Sequence, residues 1–143
     1  MTDLQRAKEN LAGHSIALCR GDRVLTSDKR GISPMLDWIQ ESVDLKGWSA
    51  ADIIVGKAAA LLFAFAGISE VYAKVLSVGG ARALEAHGIP YSYDTLVQNI
   101  VNRKGDGVCP MEKTVECICD PVSAVAALTK KRDELRSQAG GPQ

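Results

Sequence analysis

The sequence predicts an α/β domain, a three-layer α-β-α sandwich in which helices cover both faces of a mixed sheet. Residues 52–67 are apolar almost all the way round, which is typical of a helix buried in a domain core. Residues 71–77 form an apolar run that suits a strand inside a sheet. Elsewhere in the chain, short strand patterns alternate with helical patterns, as they do in layered α/β domains.

Length and charge restrict the kind of protein that this chain can be. With 143 residues it fits one domain, which we place at residues 1–136, followed by a disordered tail at 137–143. Lys and Arg together number 17, as do Asp and Glu, so no overall charge draws the chain onto nucleic acid or an anionic membrane. We find neither a signal sequence nor a membrane-spanning segment, and we expect a cytoplasmic protein.

A helix, a hairpin and a second helix are predicted for the first part of the chain. Thr2 or Asp3 suits the cap of the first helix, and Gly13 suits its end. Two β-rich runs on either side of a glycine-containing turn predict the hairpin, and Pro34 belongs in the first turn of the second helix. The predicted elements are a helix at 3–12, strands at 15–20 and 23–27, and a helix at 34–42.

The rest of the chain is predicted to alternate between helix and strand around the central apolar helix. Ser49 followed by Asp52 resembles a capping box that would start this helix, and Gly67 would end it. Pro90 indicates that the strand beside it is an edge strand. The predicted elements are helices at 52–67, 81–86, 95–101 and 120–136, a helix opening at 109–112, and strands at 71–77 and 89–93.

Three local motifs stand out from the rest of the chain. They are Arg30-Gly31-Ile32-x-Pro34, Asp52-x-x-x-Gly56-Lys57-Ala58-Ala59-Ala60, and Asn102-Arg103-x-Gly105-x-Gly107-x-Cys109-Pro110-Met111-Glu112. Together they resemble an uncharacterised bacterial family, a domain of unknown function with a cytidine-deaminase-like fold. The resemblance implies that fold for residues 3–130.

The same resemblance argues against zinc chemistry. Cytidine deaminases carry His-x-Glu at the start of the central helix and Pro-Cys-x-x-Cys after the next strand, and these residues bind zinc and move protons. In this chain the corresponding positions would be Lys57-Ala58-Ala59 and residues 77–82, which hold no pair of metal ligands. We therefore expect no zinc, no other cofactor and no zinc-dependent deamination, since a fold does not by itself carry a function.

Two polar residues interrupt the central apolar stretch. Asp52 is expected either to bind a ligand or to cap its helix through backbone N–H groups. Lys57 lies among alanine and leucine residues, and a buried ammonium needs an anionic partner. We expect Lys57 to contact an anion or to act as a base or nucleophile, unless its side chain extends along the surface to solvent.

The segment at 102–112 supplies the other candidates. Asn102 and Arg103 precede a loop with two glycines and are interpreted as anion contacts, because Arg binds phosphate and carboxylate groups bidentately. Cys109 would be the N-cap residue before Pro110, where the helix N-terminus favours a reactive thiolate; otherwise it only packs. Glu112 would accept the free N–H groups of its own helix. The other three cysteines are interpreted as ordinary buried thiols.

The predicted ligand-binding residues lead to three functional hypotheses. They are Asp52, Lys57, Asn102, Arg103, Cys109 and Glu112. The leading hypothesis is a protein that binds a small anionic ligand, such as a nucleotide or a related metabolite, on a zinc-free deaminase-like scaffold. One alternative is a non-catalytic oligomeric or interaction module, and the apolar balance of the chain is compatible with a homodimer. The other is a zinc-independent enzyme that uses Cys109 and Lys57.

Overall fold

The computed structural model describes residues 1–102 and 104–138, which form a five-stranded mixed sheet and six helices. The helices are α1 (Asp3–Asn10), α2 (Ser33–Gln40), α3 (Lys57–Ala66), α4 (Val78–Ala86), α5 (Pro110–Thr114) and α6 (Pro121–Gln138). The strands are β1 (Ile16–Arg20), β2 (Arg23–Ser27), β3 (Ser49–Val55), β4 (Glu70–Ser77) and β5 (Tyr91–Val97). These elements confirm the predicted α/β class.

The sheet has the strand order β2-β1-β3-β4-β5. β1 pairs antiparallel with both β2 and β3, so the hairpin forms one edge of the sheet. β3, β4 and β5 run parallel, with Val55 beside Leu76 and Leu76 beside Leu96. The carboxyl ends of β3 and β4 therefore lie side by side, and α3 and α4 begin there.

Side chains of the sheet alternate between two apolar clusters on its opposite faces. Ile16 and Leu18 of β1 belong to the larger cluster, whereas Ala17 and Cys19 belong to the smaller one. α1 covers the smaller cluster, and α2, α3, α4 and α6 contribute buried residues to the larger one. Helices thus lie on both faces of the sheet, which gives the three predicted layers.

A buried charge holds the last helix against the second. Arg132 of α6 is only 5% exposed, and it donates to Oδ1 of Asp37 at 2.8 Å and to Oε1 of Gln40 at 3.1 Å. Lys29 donates to the other oxygen of Asp37 at 2.7 Å. Loss of one partner from a buried pair leaves an uncompensated charge, so this contact fixes α6 on the domain.

The central apolar stretch is not one helix, which corrects the prediction for residues 52–67. Asp52 lies inside β3, Gly56 is extended with φ −110° and ψ −168°, and α3 begins only at Lys57. Ser49 is also a strand residue, so it forms no capping box with Asp52. The chain before Gly56 ends in three β-branched residues, which favour a strand, whereas the chain after it is rich in alanine, which favours a helix.

The other element predictions are confirmed within a few residues, except at the end of the sheet. The helix predicted at 95–101 is wrong, because β5 continues to Val97. α4 begins earlier than predicted because Ser77 caps it, accepting a hydrogen bond from the Gly80 N–H at 2.9 Å. α6 includes residues 137 and 138 of the predicted tail, and residues 139–143 lie outside the described residues.

In the part of the chain that is described, no helix is both long and apolar enough to cross a membrane.

Candidate functional site

The N-terminus of α3 is occupied by a carboxylate from a distant part of the chain. The Lys57 N–H donates to Oε1 of Glu112 at 2.8 Å, and the Ala58 N–H donates to Oε2 at 2.9 Å. The N-cap residue of α3 is Gly56, which has no side chain to accept these N–H groups. Glu112 thus caps α3 in place of an N-cap side chain, and its negative charge lies at the positive end of the helix dipole.

This contact corrects the prediction that Glu112 serves its own helix. Glu112 is the third residue of α5, as predicted, but its carboxylate binds the start of α3. α5 has only five residues, and none of them is fully buried. The short helix therefore presents Glu112 to α3.

Two glycines make room for this arrangement. A Cβ on Gly56 would lie 2.6 Å from Cδ of Glu112, in the space that the carboxyl group occupies. A Cβ on Gly80 would lie 2.9 Å from the carbonyl oxygen of Val55 and 3.0 Å from the carbonyl carbon of Gly56. Because Gly80 has no side chain, the first turn of α4 packs directly against the junction of β3 and α3. The N-termini of the two helices are consequently neighbours.

Lys57 is the first residue of α3 and is half-buried, rather than enclosed in the core as its apolar neighbours suggested. Its Nζ donates to the backbone oxygen of Glu116 at 3.2 Å. Both the backbone and the side chain of Lys57 therefore bind the segment that carries Glu112. The structure brings Lys57 and Glu112 together and adds the carbonyl group of Glu116.

Asn102 organises the loop that precedes α5. Its side-chain amide donates to Oδ1 of Asp106 at 2.8 Å and accepts from the Asp106 N–H at 3.2 Å, while its own N–H donates to the Gly107 oxygen at 2.8 Å. These bonds close the loop beside the bridge between Val101 and Val108. Arg103 lies outside the described residues, so its contact with an anion stays a prediction.

Cys109 is the N-cap residue of α5, as predicted, although its thiol makes no capping hydrogen bond. The Cys109 N–H donates to the Ile100 oxygen at 2.9 Å, which ties the loop to the start of α5. Burial raises the pKa of Cys19, so this thiol should be the least reactive. Cys117 and Cys119 are exposed, however, so the interpretation of these two residues as buried thiols is wrong.

Asp52 lies apart from the start of α3. It is in β3 beside Ala73 of β4, four residues before Gly56, which corresponds to about 13 Å of extended chain. The side chain is 7% exposed, and its Oδ1 accepts from the Ile54 N–H at 3.3 Å. Burial raises the pKa of Asp52 to about 8, although the N–H groups of Ile54 and Ile53 lower it in part. The helix-capping interpretation of Asp52 is therefore wrong.

The histidines and the acidic residues are dispersed. His14 Nδ1 lies 2.7 Å from Oδ1 of Asp28, and His87 Nε2 lies 3.2 Å from the carbonyl oxygen of Cys119. Across residues 1–102 and 104–138, no group of three or more His, Cys, Asp and Glu side chains is arranged to hold a metal ion. Of the predicted site residues, Lys57 and Glu112 are in contact, at the start of α3.

Replacement of Glu112 by Ala should lower the free energy of unfolding by about 2 kcal/mol, because two N–H groups of α3 lose a charged acceptor. Glu116→Ala is the matched control, since Glu116 binds Lys57 through its backbone oxygen and keeps that bond. The control should cost about 0.5 kcal/mol or less. Urea unfolding of both variants measures the difference, and equal losses would contradict the capping role of Glu112.

The chain is similar in sequence and in structure to one family. The family described as a domain of unknown function (DUF1893), TM1506, matches residues 7–131. The crystal structure of a DUF1893 family protein (TM1506) from Thermotoga maritima, at 2.70 Å resolution, has a TM-score of 0.81 and 25% identity, covering 92% of this chain and 91% of that chain. No curated protein matches the chain. The match over most of its length shows that this chain belongs to the DUF1893 family.

Proposed function

We propose that this protein binds a small anionic metabolite, through a phosphate or carboxylate group, at the N-terminus of α3. The observation that carries the proposal is the bidentate seat of the Glu112 carboxylate on the N–H groups of Lys57 and Ala58, at 2.8 and 2.9 Å. The helix N-terminus that binds this internal carboxylate has the N–H donors and the helix dipole to bind an anionic group of a ligand. Glu112 and the ligand would compete for the same two donors.

The position of this seat in the fold supports the proposal. In open α/β sheets, ligands bind in the crevice outside the carboxyl ends of parallel strands. β3 and β4 are parallel neighbours, and the helices that follow them begin next to each other because Gly80 packs on Val55 and Gly56. Lys57 adds a half-buried ammonium at the same helix start. A ligand there would meet two backbone donors and one cation.

The proposed site binds an anionic ligand and uses no zinc. The zinc-free deaminase-like scaffold that the motifs imply is part of the proposal, since Lys57, Ala58 and Ala59 offer no metal-binding pair. Cys109 lies three residues before Glu112 and would move with it when the ligand enters. Asp52 is left out of the proposed site, because its hydrogen-bond partner is the backbone of its own strand.

Inorganic phosphate and AMP should bind more tightly when Glu112 is removed. In Glu112→Ala the competing carboxylate is absent, so we expect phosphate to bind about tenfold more tightly than it binds the wild-type protein. Bound phosphate should also raise the melting temperature of the variant, because a ligand of the native state stabilises it. Calorimetric titration and thermal melts with each probe measure the two effects.

Two further variants make this experiment specific. Glu116→Ala should bind phosphate as weakly as the wild-type protein, because it leaves the Glu112 carboxylate in place. Lys57→Met combined with Glu112→Ala should lose most of the gain, because the cation is removed. A Glu112→Ala protein that is folded by circular dichroism, yet neither binds phosphate nor melts at a higher temperature with it, would refute the proposed function.

A further inference from the structure

β5 is an open edge of the sheet. It pairs with β4 on one side and is the last strand in the sheet order. None of its seven residues is buried. Tyr93 and Leu96 of the strand are 44% and 47% exposed, and Val101 just beyond it is 59% exposed. Within the described part of the chain, the edge therefore combines unpaired backbone donors and acceptors with exposed apolar side chains.

The features that normally protect an edge strand are scarce in β5. Native edges are kept short or carry lysine, proline or inward-pointing charges. β5 has one charged residue, Asp94, and its carboxylate accepts a hydrogen bond from the Tyr72 hydroxyl of the neighbouring strand at 2.6 Å. The Asp94 carboxylate is thus hydrogen-bonded within its own sheet, and it does not protect the edge from pairing with another strand.

The opposite edge of the sheet has no buried residue either, but it is shorter and carries a positive charge. β2 has five residues and starts with Arg23, whose guanidinium lies 5.1 Å from the centroid of the Trp48 ring. Leu25 packs on the core, so the apolar surface of this strand is partly covered. The two edges do not match each other, and a contact between unlike edges would generate a ring or an open filament rather than a two-fold dimer.

We propose that β5 pairs antiparallel with β5 of a second copy of this chain, giving a two-fold dimer with one continuous sheet. An unpaired strand edge is complementary to another strand, and identical antiparallel edges satisfy each other about a two-fold axis. The formal net charge of the chain is +0, so two copies do not repel each other as whole bodies. In this dimer the two-fold axis does not place the two Asp94 side chains opposite each other, because like charges directly opposite each other destabilise a strand pair.

Leu96→Lys should convert a dimer into a monomer. Light scattering during size exclusion at micromolar concentration should give twice the chain mass of 15.3 kDa for the wild-type protein and the single chain mass for Leu96→Lys. Val24→Lys is the matched control, because Val24 is a 39% exposed residue of the other edge strand and its variant should remain a dimer. Circular dichroism should be the same for all three proteins, since both substituted side chains are already exposed.

A measurement on the wild-type protein tests the same interface without a variant. The amides of β5 that point away from β4 should exchange slowly with deuterium at high protein concentration and faster on dilution, whereas those of β2 should not change. A wild-type monomer, a Leu96→Lys dimer, or dissociation by Val24→Lys alone would each overturn the proposal. Its failure would leave the anion site at α3 untouched, because that site uses other residues.

Discussion

Replacement of Asp52 by Asn should remove a loss of stability that the wild-type protein suffers as the pH rises from 3.8 to about 8. Asp52 is a buried residue of β3, and burial raises its pKa from 3.8 to about 8. The neutral carboxyl group is therefore the form that the folded protein prefers. An asparagine side chain at this position would be neutral at every pH, and its Oδ1 can accept the Ile54 N–H that Asp52 accepts now.

The direction of the effect follows from proton binding in the two states. Between pH 3.8 and about 8 the unfolded chain has lost the proton of Asp52 while the folded chain retains it. The stabilisation is complete below the lower pKa, declines as the pH rises, and is lost above the higher one. A shift of this size corresponds to at most about 6 kcal/mol, and solvent entry or relaxation of the strand would reduce it.

Urea unfolding at pH 4, 6 and 8 measures this prediction on the wild-type protein and on Asp52→Asn. The two proteins should be similar at the lowest pH, and the variant should be several kcal/mol more stable at the highest pH. Asp133→Asn, in an exposed part of α6, is the control and should follow the wild-type curve. A variant that is no more stable than the wild-type protein at the highest pH would show that Asp52 ionises without penalty.

The sequence predicts the class and most elements of this fold because their signals are local. The hairpin around Gly21, the helix start at Pro34 and the N-cap at Cys109 each depend on a few neighbouring residues. The stretch 52–67 misleads because a buried strand followed by a buried helix is apolar throughout, and periodicity cannot separate them. Gly56 is the signal that could have divided it, since a glycine between β-branched residues and alanines suits a boundary.

The site could be predicted only in part, because its central contact joins residues far apart in the chain. Glu112 lies 55 residues from Lys57, and no local pattern shows that the carboxylate of one short helix binds the start of another. One indirect signal exists. α3 begins after Gly56 without a Ser, Thr, Asp or Asn cap, so its first N–H groups had to find acceptors elsewhere. This signal would have directed attention to the start of α3, although not to Glu112 as the acceptor.

Replacement of Gly80 by Ala should destabilise the protein by about 3 kcal/mol, because an added methyl group has no space there. Its Cβ would lie 2.9 Å from the Val55 oxygen, 3.0 Å from the Gly56 carbonyl carbon and 3.1 Å from Cδ1 of Leu76. Two of these atoms belong to the backbone, which cannot withdraw without moving the junction of β3 and α3. The same movement would disturb the seat of Glu112 on α3.

Gly79→Ala is the control that separates this steric effect from helix propensity. Gly79 precedes Gly80 in α4, and its Cβ would meet nothing closer than Cβ of Lys57 at 3.7 Å, an ordinary contact. Alanine favours a helix over glycine by up to about 1 kcal/mol, so this variant should be neutral or more stable. Chemical unfolding should therefore give effects of opposite direction at two adjacent glycines of one helix. If both variants are equally stable, α4 does not pack against the β3–α3 junction through Gly80, and the close approach of the two helix N-termini is wrong.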